Sequence, residues 1–247
     1  MSKTSETGHA KNVANFEELV TYAVSYNQEY NPSRESIKVE ALQSLLANGK
    51  QRMADFNIAL SPFKMAVAER ETAFEPLNKF TTRLVNALKA TDTSAQMDNT
   101  VKSIARKIKG ERATPKKKVM AVQQGETADV SEKEISVAQT SYNNRLENFS
   151  KLFVQLQNIP QFRPNELELQ PQAIKAFYDN MVEKNNTAIL TTVALSNARI
   201  ARNKVLYEPI TGMLDIAFDT KVYIKSLYGA RSPQYKQVGG IQFKSNK

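Results

Sequence analysis

An all-α fold built by tandem duplication of a multi-helix unit follows from three features of the sequence. Apolar residues recur at intervals of three and four. Glycine and proline are scarce, at 8 and 9 in 247 residues, which argues against a many-turned β fold. The same order of motifs also runs through the chain twice. Long helices with one apolar face need neighbours to cover it, so the expected packing is an up-and-down helical bundle with pseudo-twofold symmetry.

The polar opening MSKTSETGHAKN has no apolar stretch of the kind a secretory signal carries, and residues 1–14 are expected to be a flexible N-terminus. Phe16, Leu19, Val20, Ala23 and Val24 then mark an amphipathic helix. Asn31-Pro32 stops it, because proline disfavours the helical conformation in the residue before it. A second helix carries Ile37, Ala41, Leu45, Met53 and Phe56, with a break expected at Ser61-Pro62, serine as N-cap and proline in the first turn. Glu75-Pro76 opens a third segment with Leu77, Phe80, Leu84 and Leu88 on one face. After a detour of 14 residues the pattern reaches Gly110. A basic loop and a short extended tail, VMAV, follow.

The second pass begins at an offset of 133, where Asn15-Phe16-x-x-Leu19-Val20 returns as Asn148-Phe149-x-x-Leu152-Phe153. At 132, Tyr30-Asn31-Pro32-Ser33 returns as Phe162-Arg163-Pro164-Asn165, and Leu45-Leu46 as Phe177-Tyr178. Phe74-Glu75-Pro76-Leu77 matches Tyr207-Glu208-Pro209-Ile210, so Ile210, Met213, Ala217 and Phe218 are expected to face a core. At 119, Ile108-Lys109-Gly110-x-Arg112 matches Leu227-Tyr228-Gly229-x-Arg231, and Val119-x-x-Val122-Gln123 matches Val238-x-x-Ile241-Gln242. The copies therefore span 15–123 and 148–247, are joined by a linker and helix start over 124–147 with a capping box at Ser131–Glu134, and are expected to merge into one domain. In the second copy too a basic, Pro-containing loop is expected after Gly229, and the copy ends on its own extended piece, GGIQF.

Charge is uneven along the chain. The formal net charge is +9, of which residues 102–118 carry +7 and residues 221–247 carry +6, leaving the remainder mildly acidic. Concentrated basic charge attracts polyanions by releasing their counterions. The candidate polyanion-binding residues are Arg106, Lys107, Lys109, Arg112, Lys116, Lys117 and Lys118, with Lys225, Arg231 and Lys236 in the second segment. Tyr223, Tyr228, Tyr235 and Phe243 alternate with basic residues there, as stacking on unpaired bases would use; their helical spacing fits a core face equally well.

Catalytic chemistry finds little material. With no cysteine, disulfides, thiolate nucleophiles and iron–sulfur clusters are excluded, and a lone histidine, His9, rules out paired-histidine metal sites. Glu17 and Glu18 are adjacent and point about 100° apart on a helix, so they cannot share a substrate. No metal and no cofactor is expected, and no enzyme. The expected function is a non-catalytic helical scaffold or adaptor acting through protein contacts in the cytoplasm. A nucleic-acid-associated protein using 102–118 and 221–247 is the alternative. A membrane-active helical protein is a third reading, with Asn185–Ala198 inserting, although its three asparagines and four hydroxyl residues oppose insertion. No transmembrane segment is expected.

Overall fold

A computed structural model describes residues 6–111 and 140–245, which are predominantly helical and contain no strand. In the first half these are α1 (Glu6–Ser25), a 3-10 turn (Glu35–Ile37), α2 (Val39–Phe74), α3 (Leu77–Lys89) and α4 (Ala95–Lys109). The second half holds α5 (Tyr142–Gln157), a 3-10 turn (Leu167–Leu169), α6 (Pro171–Tyr207), α7 (Met213–Tyr228) and α8 (Pro233–Gly239). The chain divides into two compact units, one of Met1–Lys64 with Leu190–Lys247 and the other of Met65–Ile189. Their boundaries fall inside α2 and α6, so neither unit coincides with 15–123 or 148–247.

The discontinuous unit is built around α1. Phe16, Leu19 and Ala23 are fully buried at the spacing the sequence shows, against Leu42, Met213, Ala217 and Ile224. Tyr30 closes the loop before α2: its hydroxyl donates to the Ile37 carbonyl at 2.7 Å and its ring meets that of Tyr223 edge-on at 5.2 Å. The expected flexible segment is helical from Glu6 onward, since His9 and Asn12 are buried against partners some 200 residues away that no local pattern reveals.

The continuous unit packs α5 against α3 and α4. Leu146, Phe149, Leu152 and Leu156 form its buried face, and Phe149 sits in an aromatic group with Phe80, Phe177 and Tyr178. Leu77, Leu84 and Leu88 are fully buried on one side of α3. Serine caps start three helices: Ser94 accepts from the Met97 N–H, Ser141 from Asn144 and Ser232 from Tyr235. Gly110 stops α4 with φ of +72°, a left-handed conformation that glycine adopts without a Cβ penalty.

Several local expectations are corrected. α2 runs unbroken through Pro62. The carbonyl that loses its partner there is that of Ile58, a residue 70% exposed, so water can serve it. Ile210 and Phe218 are exposed rather than core-facing, because residues 209–212 form a turn in which Ile210 has φ of +71° and donates its N–H to Asp215. The core positions of α7 are consequently Met213, Ile216, Ala217, Thr220 and Ile224. Gly229 ends α7 whereas Gly110 ends α4, so the match at an offset of 119 joins positions in different elements. In place of a basic loop after Gly229 stands α8, with Pro233 in its first turn. Ser131, with its expected helix start, and the tail Val119–Gln123 lie outside the described residues.

Candidate functional site

Of the basic residues singled out from the sequence, Arg112, Lys116, Lys117 and Lys118 lie outside the described residues. Arg106, Lys107 and Lys109 occupy the last turn of α4, where cations complement the helix dipole. Lys107 is exposed, while Arg106 and Lys109 are partly buried. The Arg106 Nε is buried with no hydrogen-bond partner among the described residues, and Lys109 lies 3.7 Å from Glu111. Arg106 and Lys109 share a side of the helix and Lys107 points about 100° from the first and about 160° from the second, so these three form no single strip. Lys225, Arg231 and Lys236 are all exposed, in α7, the following turn and α8.

The aromatic residues between the latter cations are engaged within the fold. Tyr223 receives a hydrogen bond from the Asn31 N–H and packs on Tyr30. Tyr228 donates to Glu29 at 2.7 Å and meets Tyr26 edge-on at 5.2 Å. Burial, reinforced by the Glu29 carboxylate, pushes the Tyr228 phenol up to about 12. Tyr235 lies under the Lys225 ammonium, and Phe243 under that of Lys221. These rings serve α1 and its loop first, and none stands out as a free stacking platform.

The C-terminal residues, expected as an extended tail, run along α1 and α7 as an irregular strap. Asn12 grips it with both ends of its amide: Oδ1 accepts from the Lys244 N–H at 2.9 Å and Nδ2 donates to the Lys244 carbonyl at 2.8 Å. Asn15 donates to the Gln242 carbonyl at 2.6 Å, and the Lys221 ammonium donates to that of Ile241. Burial lowers the pKa of Lys221 below the ordinary lysine value. Ile241 is buried and Phe243 partly so, whereas Gln242 and Lys244 are exposed. Asn12, Asn15 and Lys221 were not legible as a set in the sequence. A spacing of three between the asparagines places them on one side of α1, but their shared target lies over 220 residues away.

His9 is a core residue, with Nδ1 2.7 Å from the Tyr207 hydroxyl and its ring edge-on to that of Tyr207. Among the described residues no group of three His, Cys, Asp or Glu side chains is placed to hold a metal ion. No helix there is long and apolar enough to cross a membrane. A shallow groove on α4, between Gln96, Asn99, Thr100, Ser103 and Ile104, offers no ionisable group.

The middle of α6 shows a different surface. Leu190, Val193 and Ile200 are 70%, 52% and 64% exposed. At 100° per residue they fall, with Asn197, within an arc of about 80°. No charged residue occurs from Asn185 to Ala198.

The described residues thus define a predominantly helical protein of two compact units. Comparison with protein-family models, with curated proteins and with solved structures finds no match for this chain.

Proposed function

We propose that the protein is a non-catalytic helical scaffold acting through protein contacts, with the exposed side of α6 at Leu190, Val193 and Ile200 as a contact surface. The observation that carries this reading is three large exposed apolar side chains within one arc of α6, Leu190 and Val193 in a stretch of helix free of charge and Ile200 two residues beyond its end, in a chain of net charge +9. A surface of this kind favours an apolar protein face over a polyanion. The test places a photo-crosslinking benzoylphenylalanine at Val193 and irradiates nuclease-treated lysate. The expected product is one defined protein adduct that survives high salt and disappears when Leu190→Glu and Ile200→Glu are added. Absence of any adduct, or an adduct indifferent to those substitutions, would refute the reading. A second reading, polyanion binding, draws on the exposed Lys102 and Lys107 of α4.

Tandem duplication with reciprocal exchange is proposed as the origin of this framework. Each unit combines the opening elements of one copy with the closing elements of the other. Buried residues recur at the sequence offsets: Val13, Phe16, Leu19 and Ala23 with Leu146, Phe149, Leu152 and Leu156, and Ile37 and Leu42 with Leu169 and Ile174. Two edge-on aromatic pairs also correspond at an offset of 133, His9 with Tyr207 in one unit and Tyr142 with Phe74 in the other.

A further inference from the structure

We propose that the cleft between α1 and α7 is a binding site for an extended peptide of a partner protein, filled in cis by the chain's own residues 241–244. The cleft reads the occupant's backbone. Asn12 takes both the N–H and the carbonyl of one residue, while Asn15 and Lys221 take carbonyls of two others. Side chains enter at alternate positions, Ile241 and Phe243 inward and Gln242 and Lys244 outward, which is the period of an extended chain. Backbone hydrogen bonds with pockets for alternate side chains are how grooves recognise extended peptides, the bonds supplying affinity and the pockets selectivity. The ligand class is therefore a peptide with an apolar residue and an aromatic residue two positions later.

The cis occupant is tethered in a way that permits release. Val238 is fully buried in α8, whose start is fixed by the Ser232 cap. Beyond it come Gly239 and Gly240, and a Cβ at Gly240 would meet nothing within 4 Å. Only the strap itself has to leave. The same anchoring disfavours a second copy as donor, since two glycines span at most about 7 Å and α8 would have to leave the core to reach further. A tethered segment competes at an effective concentration in the millimolar range, so the occupied cleft binds free peptide weakly. This site uses none of the exposed α6 residues Leu190, Val193 and Ile200, and a direct peptide measurement on purified protein reads it whether or not that surface finds a partner.

The experiment measures binding of fluorescein-labelled GGIQFKS to the full chain. Wild type is expected to bind weakly, and a chain carrying Ile241→Ser and Phe243→Ser at least tenfold more tightly, because its own strap no longer competes. Adding Asn15→Ala should lower that affinity several-fold, and a GGSQSKS peptide should not bind. Hydrogen exchange on unaltered protein supplies a check independent of the variants. An excess of unlabelled GGIQFKS should accelerate exchange of the Lys244 N–H, which Asn12 protects. Equal peptide affinity for wild type and the serine variant, equal binding of GGSQSKS, or Lys244 exchange unmoved by excess peptide would each overturn the proposal. So would a wild-type dimer whose strap cross-links to α1 of another copy.

Discussion

Replacing Tyr30 by phenylalanine removes one hydroxyl from the discontinuous unit, and its effect can be worked out at two pH values. The hydroxyl donates to the Ile37 carbonyl at 2.7 Å, and both residues are buried, at 5% and 4% exposure. Phenylalanine leaves that carbonyl without its partner, which costs about 1–3 kcal/mol at neutral pH. The second effect concerns protons. Burial, with the neighbouring Tyr223 adding to it and the Thr220 hydroxyl opposing, pushes the Tyr30 phenol up from 10.0 to about 12. The folded state therefore holds a proton that the unfolded chain releases from about pH 10 upward. Stability from this group is complete below pH 10 and is lost as pH rises through 12, by about 3 kcal/mol in all. Urea unfolding followed by circular dichroism between pH 7 and pH 11.5 measures both effects. Tyr30→Phe should be less stable at pH 7 and should lose less on going to pH 11.5 than wild type. The alkaline loss that remains comes in part from Tyr228, which is raised as well. If the variant matched wild type at pH 7 and fell as steeply at high pH, the buried Tyr30–Ile37 hydrogen bond would be wrong.

Three further outcomes are expected. Phe149→Ala, at a fully buried position among Phe80, Phe177 and Tyr178, should cost about 3–5 kcal/mol in urea unfolding, and a loss under about 1 kcal/mol would show a loose core. Arg34→Asp should cost about 1 kcal/mol, losing its 2.6 Å pair with the half-buried Asp219 and setting two carboxylates together, and adding Asp219→Arg should restore that loss in a double-mutant cycle; no restoration would mean that the pair does not couple. Under the polyanion reading, Lys102→Gln with Lys107→Gln should elute earlier from heparin without a change in thermal midpoint, and unchanged elution would remove α4 from that reading.

What could be read from the sequence was governed by local physics. The helix around Phe16 and Leu19 and the apolar side of α3 follow from 3.6-residue periodicity, and both are buried as that spacing requires. Pro62 reads as a break in the sequence because proline's cost in a helix depends on whether the freed carbonyl faces water, which periodicity does not reveal. Ile210 looks like a core residue in the sequence because a Glu-Pro motif aligns before a turn whose length differs between the halves. His9 and Asn12 look like residues of a polar terminus until Tyr207 and Lys244 are brought to them. The strap site escaped for the same reason: its three gripping side chains act on backbone atoms, and backbone atoms leave no signature in sequence.

The proposed duplication leaves a choice that hydrophobic burial alone does not make. Each opening segment, helix and 3-10 turn, could pack with the third helix of its own copy or with that of the other. The charges at the turn separate these pairings. In the discontinuous unit Arg34, beside the first turn, bonds Asp219 of α7 at 2.6 Å. In the other unit the signs are reversed, and Arg83 of α3 bonds Glu168 of the second turn at 2.6 Å. Asp219 and Arg83 occupy matching positions when Met213 is aligned with Leu77, the first buried residue of each helix. On the proposed alignment, packing within a copy would set Arg34 toward Arg83 and the acidic second turn, with Glu166 at the position of Arg34 and Glu168 two residues on, toward Asp219, like charge against like. Each exposed pair contributes only about 0.2–1 kcal/mol, too little to hold a unit together. As a difference between two pairings, however, the sum counts attraction gained and repulsion avoided at both sites. A discrimination of that kind needs no large energy, only a consistent sign. The exchanged arrangement is the one in which both signs agree.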